Sequence, residues 1–158
     1  MAYESRLLAQ SALQEILIGK QIVGMYFETA NIYFATVKAN GSIIPKNLYL
    51  HIENNWSLLQ KDQAFHPEES HMFSDITRQE LAHIAVDLGP YKVVDVLLAK
   101  DIPNLAIYFE NGAVLHISGF NASYESWEVT FEKFDIVATP GGSLAVWVPD
   151  DFKGPAAS

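Results

Sequence analysis

Apolar residues recur along this chain in two rhythms, and the changes of rhythm mark its elements. Over residues 3–18, Leu7, Leu8, Ala12, Leu13, Ile16 and Leu17 fall on one face at helical spacing, which predicts an amphipathic helix stopped at Gly19. Short apolar runs follow and predict strands at Gln21–Phe27, Asn31–Lys38, Ser42–Ile44 and Leu48–Glu53. Asn40-Gly41 lies between two of them, and Asn-Gly tolerates the positive φ of a two-residue hairpin turn. Residues 57–76, with Gln60, Lys61, Asp62, His66, Pro67, Glu68, Glu69 and Ser70, lose the pattern and read as an exposed connection. Thr77-Arg78-Gln79-Glu80 then matches a capping box, Leu81, Ile84, Ala85 and Leu88 continue at helical spacing, and Gly89-Pro90 ends the second helix. Further strands are predicted at Lys92–Leu98, Leu105–Phe109, Ala113–Ser118, Glu125–Phe131, Asp135–Thr139 and Leu144–Val148. Turns are expected at Asn111-Gly112 and Pro140-Gly141-Gly142, with a frayed tail over 153–158.

One piece of this pattern is written twice. Residues 22–56 run through two apolar segments, an Asn-Gly turn, a Leu50-His51-Ile52 triplet and Trp56; residues 93–127 repeat the order with Leu115-His116-Ile117 and Trp127. The expectation is a single α+β domain over 1–158 with a largely antiparallel sheet. Two related β-hairpin repeats, about 19–56 and 91–148, share its core, and the loop and helix of 57–90 join them.

Composition narrows the chemistry. There is no cysteine, which excludes disulfides, thiolate catalysis and cysteine-ligated zinc. No run approaches the ~18 apolar residues of a membrane span, and the start of the chain lacks a secretory pattern, so a cytoplasmic location is expected. Nineteen acidic against ten basic residues give a formal net charge of −9. Such a surface is repelled by nucleic acid and by anionic membrane and is steered toward basic partners, although many soluble proteins are simply acidic.

Candidate catalytic groups do not assemble into a motif. No activated serine context, phosphate-binding loop or dinucleotide glycine pattern occurs, so neither a catalytic residue nor a cofactor is expected. His66, Glu68, Glu69 and His71 are donors for a divalent metal, but their spacing fits no established motif and a solvated acidic loop is the favoured reading, so no metal site is expected. His51 and His116 hold equivalent places in the repeats, each turned away from its Leu and Ile neighbours.

The aromatic residues say more. Tyr124, Trp127, Trp147 and Phe152 occur late in the chain among Glu125, Glu128, Asp150 and Asp151. Tyr124, Glu125, Trp127, Glu128, Asp150, Asp151 and Phe152 are candidates for an interface in which aromatics anchor and carboxylates steer a basic protein. For Trp127 and Trp147 the favoured reading is that both are core residues of a sheet packed on a helix, since both lie within alternating apolar runs. Tyr124-Glu-Ser-Trp127 followed by Pro140-Gly-Gly-Ser-Leu-Ala-Val-Trp147 resembles the ending of a family of small bacterial domains of unknown function. Leu105–Gly112 and Leu115–Ile117 resemble that family's strand-turn-strand core. The likeness covers residues 92–148 well and 18–56 more loosely; it brings no catalytic residues. It implies a loose similarity to immunity proteins of bacterial toxin systems.

The favoured expectation is therefore a non-enzymatic acidic binding protein, an immunity-type inhibitor of a basic toxin domain. The alternative is a small-molecule or metal-binding domain, an enzyme included, with its site between the repeats and His51 and His116 as candidate lining residues. Homodimerisation through an exposed sheet edge is compatible with either.

Overall fold

A computed structural model of the protein describes residues 3–26, 28, 30–59 and 77–154. The first helix, α1 (Tyr3–Leu17), buries Ala9, Ala12, Leu13, Ile16 and Leu17, the stripe its spacing dictates. It ends at Gly19, whose φ of +87° a residue with a Cβ adopts only under strain. The second helix, α2 (Arg78–Leu88), has a complete capping box: the Glu80 N–H donates to the Thr77 hydroxyl, and the Thr77 N–H donates to the Glu80 carboxylate. Gly89 follows it with an ordinary helical φ of −50°. Neither its backbone conformation nor its surroundings require glycine there, since an added Cβ would meet only ordinary contacts, and Pro90 stops the helix.

Among the described residues eleven strands form two antiparallel sheets, so the fold is α+β. The first sheet runs in the order β1 (Gln21–Tyr26), β2 (Asn31–Val37), β4 (Tyr49–Ile52), β9 (Trp127–Phe131), β10 (Phe134–Thr139), β11 (Ser143–Trp147), with β3 (Ile43–Ile44) beside β2. The second runs β5 (Trp56–Leu59), β8 (Val114–Ile117), β7 (Leu105–Phe109), β6 (Val93–Leu98). Chain order and sheet order part company at two places. After β4 the chain leaves the first sheet, and β5 pairs with β8 of the second; after β8 it returns, and β9 pairs with β4. The first sheet thus takes β9, β10 and β11 from the later stretch of chain, and the second takes β5 from the earlier one. Trp127 lies opposite Ile52, and Trp56 lies opposite Ile117.

This exchange corrects the expected connection over 57–76, because Ser57, Leu58 and Leu59 belong to β5. Polar residues flank this short run on both sides in sequence, and its partner β8 lies far away. The rest of that connection, including His66, Glu68, Glu69 and His71, lies outside the described residues. The Asn-Gly turns are also corrected. Only Gly41 and Gly112 have positive φ, and Lys38 and Phe109 bond through their N–H to the carbonyls of Ser42 and Ala113. Both are three-residue loops with glycine in the left-handed position, in place of two-residue turns.

A single buried cluster joins α1, α2 and both sheets, with Leu13, Phe34, Leu50, Phe109, Leu115, Trp127 and Ile136 among its members. Helix α1 also guards an edge. Gln10 accepts from the Leu98 N–H at 2.9 Å, Gln14 donates to the Val96 carbonyl at 3.0 Å, and Arg6 donates to the Leu98 carbonyl. Side chains one helical turn apart thereby satisfy the outer backbone of β6, beyond which no strand lies among the described residues.

Candidate functional site

Alternation sends one set of side chains of the first sheet into the core and leaves the other facing out. The register aligns the outward set into two rows that cross all six strands. One row reads Trp147, Asp135, Thr130, Tyr49, Tyr33, Gly24; the next reads Ala145, Val137, Glu128, His51, Asn31, Tyr26. Between them, Val146, Ile136, Val129, Leu50, Ile32 and Met25 turn inward. The outward face therefore carries tyrosines, a tryptophan, carboxylates and one histidine. Among the described residues, no strand of this sheet contains a lysine or an arginine.

Its polar groups are held by one another. The His51 ring nitrogens are hydrogen-bonded to the Asn31 side-chain oxygen and to the Glu53 carboxylate. The Tyr33 and Tyr49 rings lie 5.7 Å apart, tilted by 48°. The Tyr26 hydroxyl donates to Glu28 at 3.0 Å. Glu128, Thr130 and Asp135 form a compact group whose carboxyls share the Thr130 hydroxyl. Partial burial raises the Glu128 carboxyl above the usual range, and hydrogen bonding and repulsion from Asp135 push it the same way; the Thr130 hydroxyl opposes the shift.

The seven expected interface residues do not meet in one place. Tyr124, 71% exposed, and Glu125 stand before the start of β9, and Glu128 lies in the outward rows. Asp150, Asp151 and Phe152 sit beyond its other end, where Phe152 packs edge-on against Phe134 at 5.4 Å. Trp127 leaves the set altogether. It is fully buried at the inward start of β9, and its indole N–H donates to the Pro103 carbonyl at 2.8 Å. Trp147, by contrast, is 57% exposed at an outward position of β11, so the two tryptophans have opposite environments.

The histidines do not converge either. His51 faces outward on the first sheet, whereas His116 is fully buried on the second, opposite Ser57 and Ala106. No cavity described in the structure is lined by both. Among the described residues no group of three or more His, Asp or Glu side chains is placed to hold a metal ion. Nor is any described helix long and apolar enough to cross a membrane.

A concave site of about 800 Å³ opens on the inward side of the same sheet, near its end. Glu15, Ile16 and Lys20 from α1 and its exit form one wall, and Thr36, Lys38, Ile44 and Pro45 form the second. Phe131, Glu132 and Phe134 of the β9–β10 hairpin close it, with Pro149, Asp151 and Phe152 from the segment after β11. The sequence reading did not single out Lys20, Lys38, Glu132, Tyr33, Tyr49 or Asp135. The available signal was the run of polar and aromatic residues at alternate strand positions, Asn31, Tyr33, Tyr49, His51, Glu128 and Thr130.

Comparison with protein-family models, with curated proteins and with solved structures finds no match to this chain.

Proposed function

We propose that the protein is a non-enzymatic, cytoplasmic binding protein that docks a basic protein on the outward face of its first sheet, as an immunity-type inhibitor occludes a toxin domain. One observation carries the proposal: two aligned rows bear Tyr26, Tyr33, Tyr49 and Trp147 interleaved with Glu128 and Asp135, with no lysine or arginine among them. Half-exposed aromatics supply contact area and cation–π acceptors for Lys and Arg, and the carboxylates speed encounter with a positive surface. The formal charge of −9 and the resemblance of Tyr124–Trp127 and Pro140–Trp147 to small bacterial domains point the same way.

The test compares the tagged chain with a Tyr49→Ala/Trp147→Ala/Glu128→Lys variant as bait in extracts of the native host. A basic protein captured at low salt, released at high salt and lost with the variant supports the proposal. A partner equally retained by the variant, or no partner at either salt, sinks it.

The same proposal includes the relatedness of the two halves. Its support is positional. β1 and β6 each carry a register shift near their start, at Ile22/Gly24 and Val93/Asp95. Phe34 pairs with Ile22 as Phe109 pairs with Val93. His51 and His116 hold matching positions in β4 and β8, each one place before the last residue paired with the exchanged strand.

A further inference from the structure

We propose that the cleft between the end of α1 and the β9–β10 hairpin binds a small amphoteric molecule: a planar apolar body carrying one anionic and one cationic group. The site lies on the inward side of the sheet and is independent of the face assigned to a protein partner. Its volume of about 800 Å³ falls in the range that takes small organic ligands.

The floor asks for a ring. Phe131 and Phe134 are parallel within 9°, with centroids 6.4 Å apart, and Phe152 meets Phe134 edge-on. All three are only partly buried, so a further aromatic face extends an arrangement already in place.

The rim asks for both charges. Lys20 and Lys38 stand at the exit of α1 and the end of β2, while Glu132 and Asp151 stand on the hairpin and the C-terminal segment. Glu15 accompanies Lys20 on the helix wall. None of these five forms an ion pair among the described residues, so the cations and carboxylates lining the cleft do not neutralise one another by direct contact. A ligand with an acid at one end and an amine at the other satisfies both walls at once.

Glu132 adds an independent observation. Its φ of +51° lies in the left-handed region, at the first of two turn residues where a hairpin favours glycine. A glutamate kept in that conformation at the mouth of a cleft is the pattern expected where local strain serves a site.

The test is an NMR titration of the full chain with three probes: L-phenylalanine, 3-phenylpropionate (no ammonium) and phenethylamine (no carboxylate). Amide signals of Ile44 and Phe131–Phe134 are expected to shift with all three, and L-phenylalanine to bind several-fold tighter than either truncated probe. Lys20→Gln/Lys38→Gln is expected to weaken 3-phenylpropionate several-fold and spare phenethylamine, while Glu132→Gln/Asp151→Asn does the reverse. No shift at these residues with any probe, or equal binding of all three regardless of variant, overturns the proposal.

Discussion

Glu128 and Asp135 stand diagonally across the β9–β10 ladder and share a single hydroxyl, that of Thr130, 3.2 Å from one carboxyl and 3.4 Å from the other. One O–H can donate to only one acceptor at a time, so two ionised carboxylates leave one of them facing repulsion without a donor. Partial burial first, and then the neighbouring Asp135 carboxyl, favour a proton on Glu128 and raise its carboxyl above the usual range, against the opposing pull of the Thr130 hydroxyl. A raised folded value means that the native state holds the proton more tightly than the unfolded chain. The resulting stability is present below the ordinary glutamate range and is lost as pH rises through the folded value.

Glu128→Gln is therefore expected to raise the melting temperature at neutral pH, with the gain shrinking to nothing in acid. Because the group is half-exposed and screened, the gain is below about 1 kcal/mol. Thermal melts of both proteins across pH 3–8 check it; a gain that grows in acid contradicts the assignment.

Trp127 and Trp147 separate stability from binding. Trp127→Phe removes the donor from the buried Pro103 carbonyl and leaves a gap in the core, at a cost of about 2–4 kcal/mol. Trp147→Ala at its exposed site is expected to change stability by less than about 1 kcal/mol while weakening the proposed partner. Denaturant unfolding of each variant, set beside partner capture, distinguishes the two.

Glu132→Gly relieves the positive φ and is expected to stabilise the chain by about 1 kcal/mol while weakening phenethylamine in the cleft. Chemical denaturation and the same NMR titration measure the two effects. A destabilised Glu132→Gly protein removes the strain argument.

The exchanged pairing offers a covalent test. Tyr49 and Thr130 are register partners across β4 and β9, and the chain has no native cysteine. Tyr49→Cys/Thr130→Cys is expected to form one intramolecular disulfide on oxidation, raising stability by up to about 4 kcal/mol through closure of a long loop. Non-reducing electrophoresis with mass spectrometry reads the bond; a free dithiol under oxidising conditions contradicts the pairing.

The guarded edge makes the fifth prediction. Gln10→Leu/Gln14→Leu strips β6 of partners for the Leu98 N–H and the Val96 carbonyl. The variant is expected to lose about 1 kcal/mol per hydrogen bond and to self-associate through that edge, as sedimentation velocity would show.

Legibility in the sequence followed range. Both helices, the capping box and most strands are short-range patterns, and they stand where Leu13, Thr77 and Leu105 indicate. The three-residue turns were missed because Asn40-Gly41 and Asn111-Gly112 fit two loop lengths equally well, and only the ladder decides between them. β5 escaped because Ser57 and Leu58 owe their conformation to His116 and Leu115. The candidate interface was read as a stretch of sequence, whereas a sheet face is assembled from alternate residues of many strands. Glu128 was therefore found, but Tyr33 and Tyr49, its neighbours across the rows, were not. The cleft draws on four separate segments, and nothing local announces it.

The reciprocal strands also set a schedule for synthesis. β4 gains its second neighbour only when β9 has been made, ~75 residues later. At typical elongation rates that is roughly 4 to 15 seconds. During that interval the emerging first half displays an unfilled edge along Tyr49–Ile52, on a strand that the finished protein encloses on both sides. Translation speed across α2 through β8, which thermodynamic stability does not record, thus governs how long a newborn chain is exposed to pairing with its neighbours on the same message.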